Sequence, residues 1–295
     1  MKKTRKTNLA KVLIFGTFLA AGFVSVKNTY EEKIKEWQAT RTAQLKKPES
    51  PLNLAGLFWL DQGENMFGSG SENDIVFPKG SIPKAAGKFI LKGETVSIEV
   101  KPDIKILSNG QLVKDDVIFD KEAKKLEYGN LRWLVLKSGD KIGVRLYDLE
   151  NENRKKFTDV DRYKISPEWQ VKAQYTAHAT PTKIDITNII GQTYPRLVSG
   201  SLKFTFKSKE YNFEALEGDE LFIVFGDPTN GKGSYPSGRF LYAPKPSTNG
   251  EVILDFNKAI NPNCAFTPYA LCPLPPKSNR FAVAITAGEK KYEAK

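Results

Sequence analysis

From Leu52 onward the chain holds no sustained helical period; short apolar runs alternate with clusters of Gly, Pro, Asn and Asp. That punctuation restricts the backbone to short strands joined by turns, because each Gly or Pro stops a helix before it can propagate. The runs 56–60, 74–77, 87–91, 95–100, 104–107, 116–119, 131–137 and 141–147 read as strands. Ser108-Asn109-Gly110-Gln111 reads as a hairpin turn, since Asn-Gly accepts the positive φ values such a turn needs, and Ser138-Gly139-Asp140 as a second. A second series covers 171–175, 182–187, 200–206, 211–216, 221–225, 251–256 and 280–285, opened by Pro167-Glu168-Trp169. Strands at this spacing predict a mostly β protein built of two sandwich-like units. Trp59, Trp133 and Trp169 are expected in the cores.

Only the N-terminus departs from this pattern. Residues 1–11 are basic, 12–26 are apolar, and polar sequence follows from Lys27. A basic region before a short apolar run is the signal-peptide pattern, and the run falls short of the roughly 20 residues a membrane helix needs. Residues 1–27 are therefore expected to be a signal peptide or membrane anchor, with cleavage favoured near Ala20-Ala21-Gly22. Phe23 stands where a lipoprotein would need its acylated cysteine. Residues 28–50 are expected to hold one helix, with Thr29 and Glu32 in capping-box spacing and Ile34, Trp37 and Leu45 as its apolar stripe. The first β unit is set at 51–150 and the second at 151–295, with a charged connection over 148–162.

The leader changes the meaning of the charge. The net charge is +11, yet Lys2, Lys3, Arg5, Lys6, Lys11 and Lys27 lie in the leader, leaving +5 spread over the rest. No basic stripe interleaved with aromatics occurs, so nucleic acid is not an expected partner. The expected address is outside the cytoplasm, in the periplasm or on the outer face of the envelope, with membrane contact only through residues 12–26. The two cysteines, Cys264 and Cys272, would then meet an oxidising compartment and are expected to form a disulfide. Their spacing with the single His178 does not make a zinc site, and no metal is expected.

Residues 226–290 resemble a known family. The segments FGDPTNGKGSYPSGRFLYAP, LDFNKAINPNCAFTPYALCPLPPKSNR and AVAITAGEKKY look like the signature of DUF1684, a family without assigned function, and the stretch from EEKIKEWQ to GSGSENDI is similar to its N-terminal part. A weaker similarity, in Gly63–Ser69, Asn73–Val76 and Asn109-Gly110, is to the forkhead-associated (FHA) sandwich, which binds phosphothreonine. Ser69 replaces the arginine of that family's site and Ser81-Ile82-Pro83-Lys84 lacks its histidine, so the similarity implies the fold of the first unit and not its ligand.

The polar residues of the second unit concentrate in 226–280: Asp227, Thr229, Tyr235, Arg239, Asp255, Asn257, Asn261, Tyr269, Asn279 and Arg280. Acids, amides and guanidinium groups in long loops suit a small-ligand pocket, in which Arg239 or Arg280 would clamp a carboxylate or phosphate. Asp227 and Asp255 would alternatively hold Ca²⁺ beside Asn side chains, or serve as the acid and base of a hydrolase. The competing reading is structural, since Asn and Asp in Pro-rich loops often satisfy their own backbone. No Gly-x-Ser-x-Gly elbow, phosphate-binding loop or HExxH pattern is present. The sequence names no cofactor. It favours a non-catalytic envelope module binding a small ligand or an envelope partner through 226–280, with the Asp227/Asp255 hydrolase as the alternative.

Overall fold

A computed structural model describes residues 29–293. The leader expected at 1–27 lies outside the described residues. No helix among the described residues is long and apolar enough to cross a membrane.

The chain opens with α1 (Tyr30–Leu45). Thr29 caps it as its spacing predicts: its hydroxyl accepts from Glu32 N, and the Glu32 carboxylate accepts from Thr29 N at 2.6 Å. These bonds satisfy donors that a helix start leaves open. Ile34 and Leu45 are buried.

Eleven strands follow: β1 (Leu54–Trp59), β2 (Gly63–Gly68), β3 (Ile75–Val76), β4 (Gly87–Lys92), β5 (Thr95–Val100), β6 (Ile106–Ser108), β7 (Gln111–Val113), β8 (Asp115–Phe119), β9 (Leu126–Tyr128), β10 (Leu131–Ser138) and β11 (Lys141–Asp148). They form two sheets, ordered β1-β11-β10-β9-β6-β7 and β3-β2-β4-β5-β8. One core joins both sheets, with Phe67, Phe77, Phe89 and Trp133 at its centre. The period-2 burial of β10 is why an alternating sequence settles here, every second side chain meeting the facing sheet. The Asn109-Gly110 turn forms as expected, with φ of 49° and 77°.

After a short α2 (Glu152–Lys156) come β12 (Gln170–Thr187), β13 (Thr193–Phe206), β14 (Lys209–Leu216), β15 (Leu221–Phe225), β16 (Arg239–Ala243) and β17 (Glu251–Asp255). The second unit is not a sandwich. It is one six-stranded sheet, β16-β15-β14-β13-β12-β17, that curls until its two edges approach and is nearly closed. The runs 171–175 and 182–187 belong to one long strand, because a bulge between Ala177 and Thr182 leaves the ladder to β13 intact on either side.

Residues 280–285 do not form the predicted strand. They run as irregular chain through the mouth of the curled sheet, and Phe281, Ile285 and Ala287 fill its core. Phe281 meets Phe204, Tyr211, Phe213, Phe225 and Phe256 ring to ring. Apolar alternation located the buried side chains correctly, while side chains rather than a neighbouring strand hold much of the backbone.

Candidate functional site

The predicted polar cluster begins where β15 ends. Asp227 and Arg239 face each other across the β15–β16 connection, Arg239 Nη2 donating to Asp227 Oδ2 at 2.9 Å, with both side chains fully enclosed. The remaining Asp227 oxygen accepts from Thr229 N at 2.9 Å and from Ile285 N at 3.0 Å. Arg239 also donates to the carbonyls of Ile285, Ala287 and Glu289. Its guanidinium lies against the rings of Tyr163 and Phe225. Burial pulls the Arg239 pKa below its ordinary value, and the Asp227 carboxylate opposes that pull. This pair is therefore the clasp that fastens the 281–289 chain inside the sheet. Arg239 is not the predicted ligand clamp, because its partners are already protein atoms in a closed core.

Asp255 is occupied elsewhere. It accepts from the Tyr30 hydroxyl at 2.9 Å, from Gln170 Nε2 at 3.3 Å and from the backbone and side chain of Asn257. Asn257 in turn donates to Tyr30 Oη and Ser166 O. Burial first, and Asp255 beside it second, push the Tyr30 hydroxyl well above its ordinary pKa. Asp227 and Asp255 share no hydrogen-bond partner and lie in separate networks. The geometry gives no support to a Ca²⁺ site or an acid/base pair built on both. Among the described residues no three His, Cys, Asp or Glu side chains gather as a metal site requires.

Most other predicted residues also hold loops. Thr229 shares a hydrogen bond with Ser234, the Tyr235 hydroxyl donates to Cys264 O, and Arg280 reaches only Pro275 O, at 3.4 Å. Asn279 pairs with both backbone groups of Glu214 and donates to Val224 O. Tyr269 is exposed and its side chain makes no hydrogen bond among the described residues. Cys264 and Cys272 lie at disulfide-bonding distance with Cα atoms 6.1 Å apart, inside the usual range. The loop they close is tied to the β12–β13 hairpin through Ile189 N to Cys272 O and Leu274 N to Thr187 O.

Asn261 leads to an open site. Its backbone N–H donates to Glu289 Oε2 at 2.7 Å, and Glu289 Oε1 accepts from Arg41 Nε at 3.2 Å. Arg41 stands on α1, so the buried Glu289 carboxylate binds the first helix to the last segment of the fold. Beside this junction lies a groove of about 520 Å³. Trp37, Arg41 and Gln44, one face of α1 at spacings of four and three, line it from the helix; Phe240 and Tyr242 of β16 line it from the sheet, together with Glu220, Pro244, Lys258, Ile260, Asn261 and Asn263. The aromatic wall is continuous, since Phe222 stacks on Tyr242 at 4.9 Å and meets Phe240 edge-on at 4.9 Å.

Polar capacity at this groove is unfilled. Arg41 is nearly enclosed, yet Nε is its only hydrogen-bonded nitrogen among the described residues, and Nη2 is buried without a partner. The Oδ1 of Asn261 is also buried without one. Tyr242 is 43% exposed as a residue. Desolvation nonetheless raises its hydroxyl pKa, while Arg41 and Arg196 lower it and Glu220 raises it. Of these groove residues the sequence reading singled out only Asn261 as polar. Trp37, Arg41 and Gln44 were separable by their helical spacing; the β16 wall was not, because no strand was expected at 239–243.

Of the FHA-like positions, Ser69 and Val76 line a separate surface hollow together with Lys79, Pro83 and Lys84. There the Ser69 hydroxyl donates to Ile82 O and is engaged in holding the loop.

Residues 155–290 match the family described as "Protein of unknown function (DUF1684)". No curated protein matches the chain. Among solved structures, an uncharacterized protein of Haloarcula marismortui, determined by solution NMR, is 32% identical over 46% of this chain and 78% of its own, with a TM-score of 0.40.

Proposed function

Because the chain belongs, through residues 155–290, to the DUF1684 family, described as of unknown function, we propose a role read from the groove: an exported, non-catalytic module that binds a small ligand between α1 and β16. Arg41 carries this reading. A guanidinium enclosed to this degree with a single hydrogen bond among the described residues leaves donor capacity that a ligand oxygen would complete. The groove replaces the wider 226–280 cluster as the binding surface, because Asp227, Arg239, Asp255 and Asn279 are engaged in holding the fold. The same engagement of Asp227 and Asp255 favours binding over hydrolysis.

Export is supported by the basic and apolar halves of the leader and by the oxidisable Cys264–Cys272 pair. A reporter fused after residue 30 should reach the periplasm; its retention in the cytoplasm removes the address.

The binding reading is tested by a thermal-shift screen of sugars, phosphates, carboxylates and divalent metals. A ligand at one hundred times its Kd should stabilise the fold by about 2.7 kcal/mol. It should do so for the wild type and far less for Tyr242→Ala. Equal stabilisation of both proteins would place the ligand elsewhere.

A further inference from the structure

The groove is not chemically neutral. Arg41 lines it with Nη2 buried and without a partner, and Lys258, which also lines it, forms no ion pair among the described residues. Arg41 and Arg196 both bear electrostatically on the Tyr242 hydroxyl. Against them stand Glu220, at the groove, and Glu289, already engaged by Arg41 and Asn261 N. The lining itself thus holds two cations, Arg41 and Lys258, against one acid, Glu220, beside an aromatic shelf made of Phe222, Phe240 and Tyr242, with Trp37 also lining the groove.

A planar guanidinium fixed by one edge offers its other donors in a fork that matches a carboxylate or phosphate. Glu289 fixes the Nε edge of Arg41 in this manner. Next to it, Tyr242 and Phe222 stack nearly parallel, with 14° between their planes. Such a surface favours a flat ring laid against it. A sugar without charge would leave the Arg41 donors facing only neutral hydroxyls. A bare inorganic anion would leave the aromatic wall wet.

We propose that the groove selects small aromatic anions, a flat ring resting on the Tyr242 shelf and a carboxylate or phosphate monoester reaching Arg41. This rests on the groove being the ligand site. The oxyanion is the shared feature, and the probes below separate its two sources.

The test is isothermal titration of the full-length protein at physiological ionic strength. Phenyl phosphate and indole-3-acetate serve as aryl oxyanions, phenol and indole-3-ethanol as their neutral counterparts, and inorganic phosphate and acetate as bare anions. At least one aryl oxyanion should bind ten-fold or more tightly than both its neutral counterpart and its bare anion. Which one does so identifies the source as carboxylate or phosphate. Arg41→Gln should lose that preference while leaving the neutral probe unchanged, and Tyr242→Leu should weaken every aryl probe. If Arg41→Gln fails to fold, Lys258→Gln, outside the Glu289 junction, should reduce the anion preference. Equal affinity for charged and neutral aryl probes, with sensitivity to Tyr242→Leu, overturns the ligand class and leaves the groove as the site. Binding by none of the probes overturns the ligand class, and binding unaffected by any of the variants overturns both readings.

Discussion

Removing the Asp227 carboxylate measures what the buried clasp contributes. In Asp227→Ala the Arg239 guanidinium keeps its three carbonyl partners and loses its only hydrogen-bonded counterion among the described residues, while Thr229 N and Ile285 N lose their acceptor. Breaking an enclosed ion pair from one side costs about 3–5 kcal/mol, because the surviving charge stays out of water without compensation. For a chain of this size that lowers Tm by roughly 6–20 °C, at about 2–4 °C per kcal/mol. Arg239→Met should cost a comparable amount, since it strips the same carbonyls of their donor. In the double variant Asp227→Ala/Arg239→Met neither charge remains, so its cost should fall short of the two single costs together by about 1.5–3 kcal/mol. Urea unfolding followed by circular dichroism and tryptophan fluorescence reads all four proteins. A cost below about 1 kcal/mol for Asp227→Ala, or strict additivity, would refute an enclosed pair acting as the clasp. Retained ligand binding by the folded single variants is also expected, because neither residue touches the groove.

Three further outcomes follow from named contacts. Tyr30 has a raised pKa in the folded protein, so unfolded chains release its proton first and stability should fall as pH rises above the ordinary tyrosine value, near 10; Tyr30→Phe should flatten that alkaline decline, and unchanged melts above pH 10 would contradict the Tyr30–Asp255 bond. Cys264→Ser/Cys272→Ser should cost about 2–3 kcal/mol through the short loop it opens, and non-reducing peptide mass spectrometry should find the two cysteines linked in exported protein. Gly288 has φ of +75° and an added Cβ would lie 2.5 Å from Ala259 O, so Gly288→Ala should destabilise by more than the 1 kcal/mol or so of the backbone strain alone, read by the same urea series.

What could be read from the sequence was local. Thr29 with Glu32, Asn109-Gly110 and the alternation of β10 each determine geometry within a few residues, and all three form as written. Cys264 and Cys272 are close in sequence and are close in space. The failures share a different character. Phe281 and Ile285 alternate like a strand, but period 2 reports which side chains are buried and says nothing of what holds the backbone between them. Arg239 and Asp227 are the residue types of a ligand clamp, and only the fold decides that their partners are each other. Tyr30 and Asp255 are 225 positions apart, so no spacing rule could pair them. The groove was hidden for the same reason, since α1 and β16 come from opposite ends of the chain.

Two of the bonds that seat α1 are of very long range, 225 positions for Tyr30–Asp255 and 248 for Arg41–Glu289. A ribosome releases the helix first and its anchors last. Until residue 289 emerges, α1 lacks its Arg41–Glu289 seat, and the groove wall it supplies cannot be fixed. Closing contacts of such long range is slow, so during synthesis the C-terminal half of the helix can dock on residues 154–162, through Thr42 and Lys46, well before its Tyr30 and Arg41 bonds form. The groove therefore depends on residue 289: a chain cut short before it can build the first β sandwich and still lack the Arg41–Glu289 bond that fixes the groove's α1 wall.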